Sequence, residues 1–314
     1  MQRDGKQTID PQIQAGFITT TSAFLFWGIA VMYWKLLKHV PALELISHRI
    51  LWSFGFVLLL LLVSGNFRQY RSVLRDRRKA LLLLISGLFL GANWLTFVWA
   101  VNAGYVVECS LGYFINPLVN VILGLLVFRE KLRPGQILSV VIATVGVLNL
   151  TLNFGRFPWI ALLLAGTFGT YGMLHKKMQI DSLPALGIET LFLLPLALTV
   201  ILVREIGPSG AFLHAGLRSS ILLMVAGAVT ATPLLLFNHG VRRLRLSTVG
   251  LIHYLTPTCM FLLGVFFYRE PFGRAQLISY ILIWLALLIF SLEGIRHHRQ
   301  QLRSQRSEKG AGSA

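Results

Sequence analysis

Residues 110–117 read Ser-Leu-Gly-Tyr-Phe-Ile-Asn-Pro and open an apolar run that ends at Phe128-Arg129-Glu130, with Gln136 following. Residues 250–257 read Gly-Leu-Ile-His-Tyr-Leu-Thr-Pro and open a run that ends at Tyr268-Arg269-Glu270, with Gln276 following. Pro117 and Pro257, Gly124 and Gly264, Arg129 and Arg269, Glu130 and Glu270, and Gln136 and Gln276 all stand 140 residues apart (257 − 117). An internal duplication in an apolar chain points to a membrane transporter built from two repeats.

The rest of the chain agrees with a bilayer setting. Of 314 residues, 55% are hydrophobic and 13% are charged, against about 25% charged in a soluble domain. The net charge of +17 would suit a nucleic-acid binder, but the basic residues form short clusters between long apolar runs, so no nucleic-acid partner is expected. Cys109 and Cys259 both lie in apolar runs, where a thiol behaves as a small hydrophobe; neither a disulfide nor a metal site nor a cofactor is expected.

A crossing takes about 20 apolar residues. On that length, helices are predicted near 13–34, 43–65, 80–101, 108–128, 134–153, 157–175, 185–203, 219–240, 246–268 and 274–293. Lipid offers no partners to backbone groups, so each span must be a helix. The first run is too long for the apolar core of a signal peptide and lacks a clear small-residue cleavage site, so it reads as a retained span. With an inside N-terminus, Arg68, Arg71, Arg75, Arg77, Arg78 and Lys79 fall in a cytoplasmic loop, and Arg296, Arg299, Arg303, Arg306 and Lys309 in a cytoplasmic tail. Five helices per half is an odd number, so the second copy enters the membrane from the opposite side. The expected architecture is an all-α membrane protein of ten transmembrane helices, arranged as two inverted five-helix repeats around a central cavity. Its parts are a cytoplasmic N-terminal segment (1–12), a first repeat (13–153), a second repeat (154–293) and a basic disordered cytoplasmic tail (294–314).

Polar residues inside the spans are few, and intramembrane charge is expensive enough to be a functional signal. Glu189 lies about one turn inside the seventh span, where it is a candidate proton carrier; Arg49 is a candidate partner. His48 holds the equivalent position in the first half, one residue off the main register (189 − 48 = 141). The His48–Arg49 pair thus faces the same interior from the other side. Glu44, one turn before His48, reads as a local structural pair. Glu108 opens the fourth span, where a carboxylate complements the helix dipole or serves an outer gate. Pro117 and Pro257 predict a shared kink near the midplane, with carbonyls freed one turn earlier. Around them, Asn93, Trp94, Tyr113, Asn116, His253 and Thr256 are the candidate cavity residues; each is also compatible with plain packing. Glu130 and Glu270 read as structural, closing the turn into the next helix. The fifth and tenth spans have no ionisable residue in their centres and read as scaffold facing lipid.

With these features in hand, the chain resembles the EamA group of the drug/metabolite transporter superfamily, and within it the RarD subfamily, often labelled chloramphenicol-sensitive or chloramphenicol-resistance permeases. The resemblance rests on Ile46-Ser47-His48-Arg49-Ile50-Leu51-Trp52-Ser53, Gly91-Ala92-Asn93-Trp94-Leu95, Ser110-Leu111-Gly112-Tyr113-Phe114-Ile115-Asn116-Pro117-Leu118 and Arg243-Leu244-Arg245-Leu246-Ser247-Thr248. It implies a multi-pass inner (plasma) membrane permease with both termini cytoplasmic and alternating access to a central cavity. His253 departs from the family, which usually carries a neutral amide there.

Function therefore reads first as a secondary transporter of a small organic solute, metabolite or drug, exporting it and using the proton as coupling ion. No phosphate-binding loop of the Walker form precedes a helix, so a built-in ATPase is not expected. The alternative is a polytopic membrane enzyme acting on a lipid or lipid-linked substrate. The outer loops carry little chemistry for that, Glu205 with His214 being the one acid–imidazole pair there. An enzyme is accordingly not expected.

Overall fold

A computed structural model describes residues 10–207, 210–267, 269 and 273–311; for Asn102, Ile295 and residues 297–311 it describes the backbone alone. Expectations that fall on residues 1–9, Tyr268 and Glu270 lie outside the described residues. The first half holds α1 (Pro11–Leu36), α2 (Ala42–Val63), α3 (Phe67–Arg75), α4 (Arg77–Asn102), α5 (Val106–Val127) and α6 (Pro134–Phe154). The second holds α7 (Trp159–Met178), α8 (Ser182–Ile206), α9 (Ala211–His214), α10 (Leu217–Val241), α11 (Leu246–His253), α12 (Leu255–Leu262) with a π-helical turn at Leu263–Phe267, and α13 (Arg274–Ala311). Among the described residues no strand occurs, and nine helical stretches are long and apolar enough to cross a membrane. The tenth, α7, has 20 residues and closes on His175-Lys176-Lys177; at 1.5 Å per residue it spans about 30 Å, the thickness of a hydrocarbon core.

The packing is symmetric between the halves. Equivalent helices meet as pairs: α2 on α8, α5 on α11 and α6 on α13. The remaining contacts exchange: α1 packs on α10 as α7 packs on α4, and α7 packs on α5 as α1 packs on α12. Swapping the halves maps this arrangement onto itself, as a pseudo-two-fold axis requires. With five spans per half, the two repeats are inverted. Small residues allow the close approaches that bilayer packing favours. A methyl group on Gly250 would lie 2.5 Å from the Pro117 carbonyl oxygen where α11 crosses α5, and one on Gly227 would lie 2.2 Å from the Trp52 backbone where α10 crosses α2. As expected of scaffold, α6 and α13 turn Ile137, Val141, Ile278 and Ile281 outward. They are joined by Asn149, whose amide donates to the Ala275 carbonyl and to Ser279 Oγ, both at 2.9 Å.

Local details repeat as well. Arg129 and Arg269 are both left-handed, with φ of 52° and 54°. One turn on, Gln136 Oε1 accepts from Arg133 N at 3.0 Å and Gln276 Oε1 from Gly273 N at 2.8 Å. The recurring Arg and Gln thus shape the same turn in both copies.

Three features differ from expectation. The second loop contains a helix, α3, whose Tyr70 and Val73 are buried while Arg68, Arg71 and Arg75 are exposed, the pattern of a segment lying along the interface. The prolines are used differently: α5 runs unbroken through Pro117, whereas its counterpart is interrupted at Tyr254. Pro257 then falls in the first turn of α12, where its missing N–H removes no helical bond. Finally, the last helix runs past the predicted end of the tenth span at 293. The α13 backbone continues to Ala311, because the stretch is rich in Arg, Gln, Leu, Glu and Lys, all good helix formers, and contains no proline.

Candidate functional site

The interior is organised about the α2–α8 pair. On α2, Arg49 reaches inward; its Nε donates to Thr230 Oγ1 of α10 at 2.9 Å. The guanidinium carbon lies 4.5 Å from the ring centre of Trp34 on α1 and 5.1 Å from that of Trp94 on α4. Arg49 is thus clasped by three neighbouring helices, yet it keeps partial exposure, as does Tyr113 on α5. No carboxylate among the described residues pairs with Arg49. Cation–π contacts stabilise its charge by about 0.5–2 kcal/mol each, and its remaining N–H groups are available to a solute.

On α8, Glu189 is fully buried, and its partner is not Arg49 but His175. His175 Nε2 lies 2.7 Å from Glu189 Oε1, with the imidazole 1% exposed and the carboxylate 0%. Tyr171 OH donates to Glu189 Oε2 at 3.3 Å, and Asn238 Nδ2 donates to Tyr171 OH at 2.7 Å. Three helices, α7, α8 and α10, thereby share one buried polar chain. In low dielectric such a chain is favourable only while every member is satisfied. His175 was missed from the sequence because it adjoins Lys176-Lys177 and reads as part of a polar flank; its lone signal was helical spacing, four residues after Tyr171.

The other candidates divide. Asn93 Nδ2 donates to the Leu164 carbonyl at 2.8 Å and to Thr167 Oγ1 at 2.9 Å, tying α4 to α7. Asn116 Nδ2 donates to the Ala165 carbonyl at 2.9 Å and its Oδ1 accepts from Asn120 at 3.0 Å. Thr256 donates to the Phe24 carbonyl at 2.8 Å. All three bridge the two halves rather than face lipid. His253 stacks on Phe24 with 4.3 Å between ring centres and 12° between planes, and its Nδ1 is buried without a partner. Trp94 remains against the Arg49 guanidinium, and Tyr113 keeps partial exposure on α5.

Several carboxylates act across the molecule. Glu108, in the first turn of α5, also reaches the other half. It accepts from Ile160 N of α7 at 2.9 Å and lies 3.3 Å from Arg156. Glu130 does not close onto α6. It accepts from Leu246 N at 2.6 Å and Ser247 N at 3.0 Å, capping α11 of the other half. Glu44 makes no hydrogen bond to His48; it accepts from Ala211 N of α9. The ring of His48 stacks on Phe212 at 5.2 Å.

Comparison with known proteins fits this architecture. The EamA-like transporter family matches twice, over residues 14–152 and 157–292. Protein RarD of Salmonella typhimurium is 42% identical over 95% of this chain and 100% of its own length. An uncharacterized transporter of Vibrio cholerae is 42% identical over 90% of this chain and 93% of its own. A crystal structure superposes with a TM-score of 0.69, at 19% identity, over 90% of this chain and 98% of that one.

Proposed function

This chain belongs to the EamA-like transporter family and is a multi-pass membrane transporter, and from that premise we propose that it exports a small organic solute, metabolite or drug by alternating access, in exchange for protons. The two halves, 13–153 and 154–293, rock against each other about the α2–α8 pair. The inner membrane is the setting, with both termini cytoplasmic; the α3 arginines together with Arg77, Arg78 and Lys79 at one end of the bundle support that orientation.

The observation that carries the reading is the buried chain Asn238–Tyr171–Glu189–His175. Four hydrogen-bonding side chains sealed in a bundle core hold Glu189 in one packing and release it in another, and proton uptake by Glu189 biases that choice. The solute occupies a cavity that opens beside Arg49 as the halves move. Trp34, Trp94 and Tyr113 offer aromatic faces, and Arg49 offers unpaired donors, so an aromatic solute with an electron-rich or anionic group fits. Asn93, Asn116, His253 and Thr256 line the interface that opens between the halves, with Pro117 and Pro257 as the points where its helices bend. His48 and Glu108 gate the outer end.

The test is flux in proteoliposomes containing this protein alone, with radiolabelled chloramphenicol and a metabolite panel as probes under an imposed pH gradient. The expected outcome is gradient-driven movement of an unmodified solute in wild type and its loss in Glu189→Gln protein that retains the wild-type circular dichroism spectrum. Full gradient-driven flux in Glu189→Gln would remove the proton assignment. Recovery of a chemically altered lipid would instead favour the enzyme reading.

A further inference from the structure

Three ionisable side chains converge where α2 begins and α8 ends. Glu44, His48 and Glu205 each bring one ligand-type atom into a cluster in which all three atoms lie within 4.8 Å of one another. Glu44 and His48 share a face because they stand one helical turn apart, and Glu205 approaches from the last turn of α8.

Part of this cluster has a structural explanation. Glu44 Oε1 accepts from Ala211 N, and Glu205 accepts from Phe212 N at 2.9 Å and Leu213 N at 3.2 Å. The two carboxylates therefore hold the short α9 turn. That leaves Glu44 Oε2 and both ring nitrogens of His48, which are buried with no hydrogen-bond partner. Glu44 is 0% exposed and His48 is 1% exposed. A buried polar atom without a partner costs about 1–3 kcal/mol, and two carboxylates drawn together repel. One addition satisfies both conditions. A dication neutralises the carboxylates and accepts the imidazole lone pair.

We propose that Glu44, His48 and Glu205 bind a divalent transition-metal ion of the zinc class, which latches α2 to the α8–α9 corner. One imidazole with two carboxylates is a donor set that zinc accepts, and three protein ligands leave a fourth position open. Donors around tetrahedral zinc lie about 3.4 Å apart, so the cluster closes by small side-chain rotations. The supports are in place: Phe212 stacks on His48, and His214 Nδ1 lies 3.3 Å from Glu205 Oε2, a buttress of the kind that orients metal-ligating carboxylates. The sequence predicted no metal site because Glu205 is remote in the chain from Glu44 and His48, and no ligand spacing announces it. The inference does not use the transport reading, and its test reads binding alone.

Full-length protein, stripped with chelator in detergent, is given zinc chloride as the sole added metal. Stoichiometry is read by elemental analysis after gel filtration and affinity by titration calorimetry. Wild type is expected to bind one zinc ion per chain and to melt at a higher temperature with zinc. Because Glu44 and Glu205 also hold α9, the decisive variant is His48→Phe, which keeps the stack on Phe212 and leaves both carboxylates in place. It is expected to bind zinc at least about tenfold more weakly and to show no thermal shift. His175→Gln, which removes the other buried imidazole facing a carboxylate, is expected to keep wild-type zinc affinity. Absence of zinc uptake by wild type, wild-type affinity in His48→Phe, or loss of binding in His175→Gln would each overturn the proposal.

Discussion

The equivalent helices α2 and α8 meet at the centre of the molecule and carry opposite kinds of chemistry. In α8, Glu189 has every polar atom engaged, by His175 and Tyr171. In α2, the equivalent His48 has neither ring nitrogen engaged. One residue on, Arg49 reaches across to Trp34, Trp94 and Thr230 on three other helices, while its counterpart Thr190 folds back onto the Leu186 carbonyl of its own helix at 2.7 Å. The duplicated scaffold fixes where side chains point, and divergence of the two copies then assigns different tasks to equivalent points. The second copy supplies a sealed carboxylate, and the first a cation held against two indole rings.

The largest expected effect breaks this comparison at Glu189. Glu189→Gln is predicted to lower pH-driven flux by roughly tenfold or more, within the range of a coupling interaction, whereas His48→Gln, at the gate, changes the rate but leaves the dependence of flux on the pH gradient in place. His175→Ala sharpens the point. It leaves the carboxylate buried without its imidazole, and removing one partner of such a pair costs about 3–5 kcal/mol. The double variant Glu189→Gln/His175→Ala is therefore expected to melt above His175→Ala alone. A double variant less stable than either single one would mean that the two groups are not a coupled pair.

The next prediction compares equivalent crossings. Gly227 on α10 abuts α2, and Gly87 on α4 abuts α8. A methyl group at 227 would lie 2.2 Å from backbone carbon of Trp52, which cannot swing away; at 87 it would meet Glu189 Cα at 3.4 Å, an ordinary contact. Gly227→Ala is predicted to cost about 1–3 kcal/mol or more, and Gly87→Ala to lie within about 0.5 kcal/mol of wild type. Thermal melts of the purified variants decide it, and equal losses would mean that the crossings are not distinguished as described.

Around Arg49 the effects are smaller. Arg49→Lys keeps the charge but loses the planar stack between Trp34 and Trp94, and Trp94→Leu removes one face of it. Each is predicted to weaken solute affinity several-fold, about 1 kcal/mol, measured as the concentration for half-maximal flux. An unchanged value in both variants would place the solute elsewhere.

Much of this was legible in the sequence, and the limits have physical causes. The duplicated run around Pro117 and Pro257 carries the fold, because spans must be apolar for their whole length and a repeat keeps its register. Arg49, Trp94 and Tyr113 stood out because charge and large polar aromatics are rare at depth. Partners were less legible. Glu108, Glu130 and Glu44 each bond to backbone far along the chain, and a backbone N–H leaves no mark in the side-chain sequence. Arg49 was a reasonable partner for Glu189 on charge alone. The geometry favours His175 because its imidazole reaches the Glu189 carboxylate directly, at 2.7 Å, while Arg49 is drawn to Trp34, Trp94 and Thr230. The α3 helix was hidden because a short, strongly basic amphipathic segment resembles a loop in any hydropathy reading.

The smallest effect lies at the end of the bundle where α8 begins. The Gln69 amide, at 2.6 Å, and Arg242, at 2.9 Å, hold the Asp181 carboxyl below its ordinary value of 3.8. A carboxyl whose folded value is depressed stabilises the fold at pH above its unfolded value, and that contribution disappears as pH falls through the folded value. Because Asp181 is half exposed, the contribution is at most about 0.5 kcal/mol. Asp181→Asn should therefore melt slightly below wild type at neutral pH, with the gap closing as the buffer is brought down toward 3.8 and beyond. High salt should narrow the neutral-pH gap as well, since an exposed pair is screened within about 10 Å at 0.1 M ionic strength. A gap that is constant across pH and salt would assign the loss to packing of the α3–α8–α10 corner and not to the charge on Asp181.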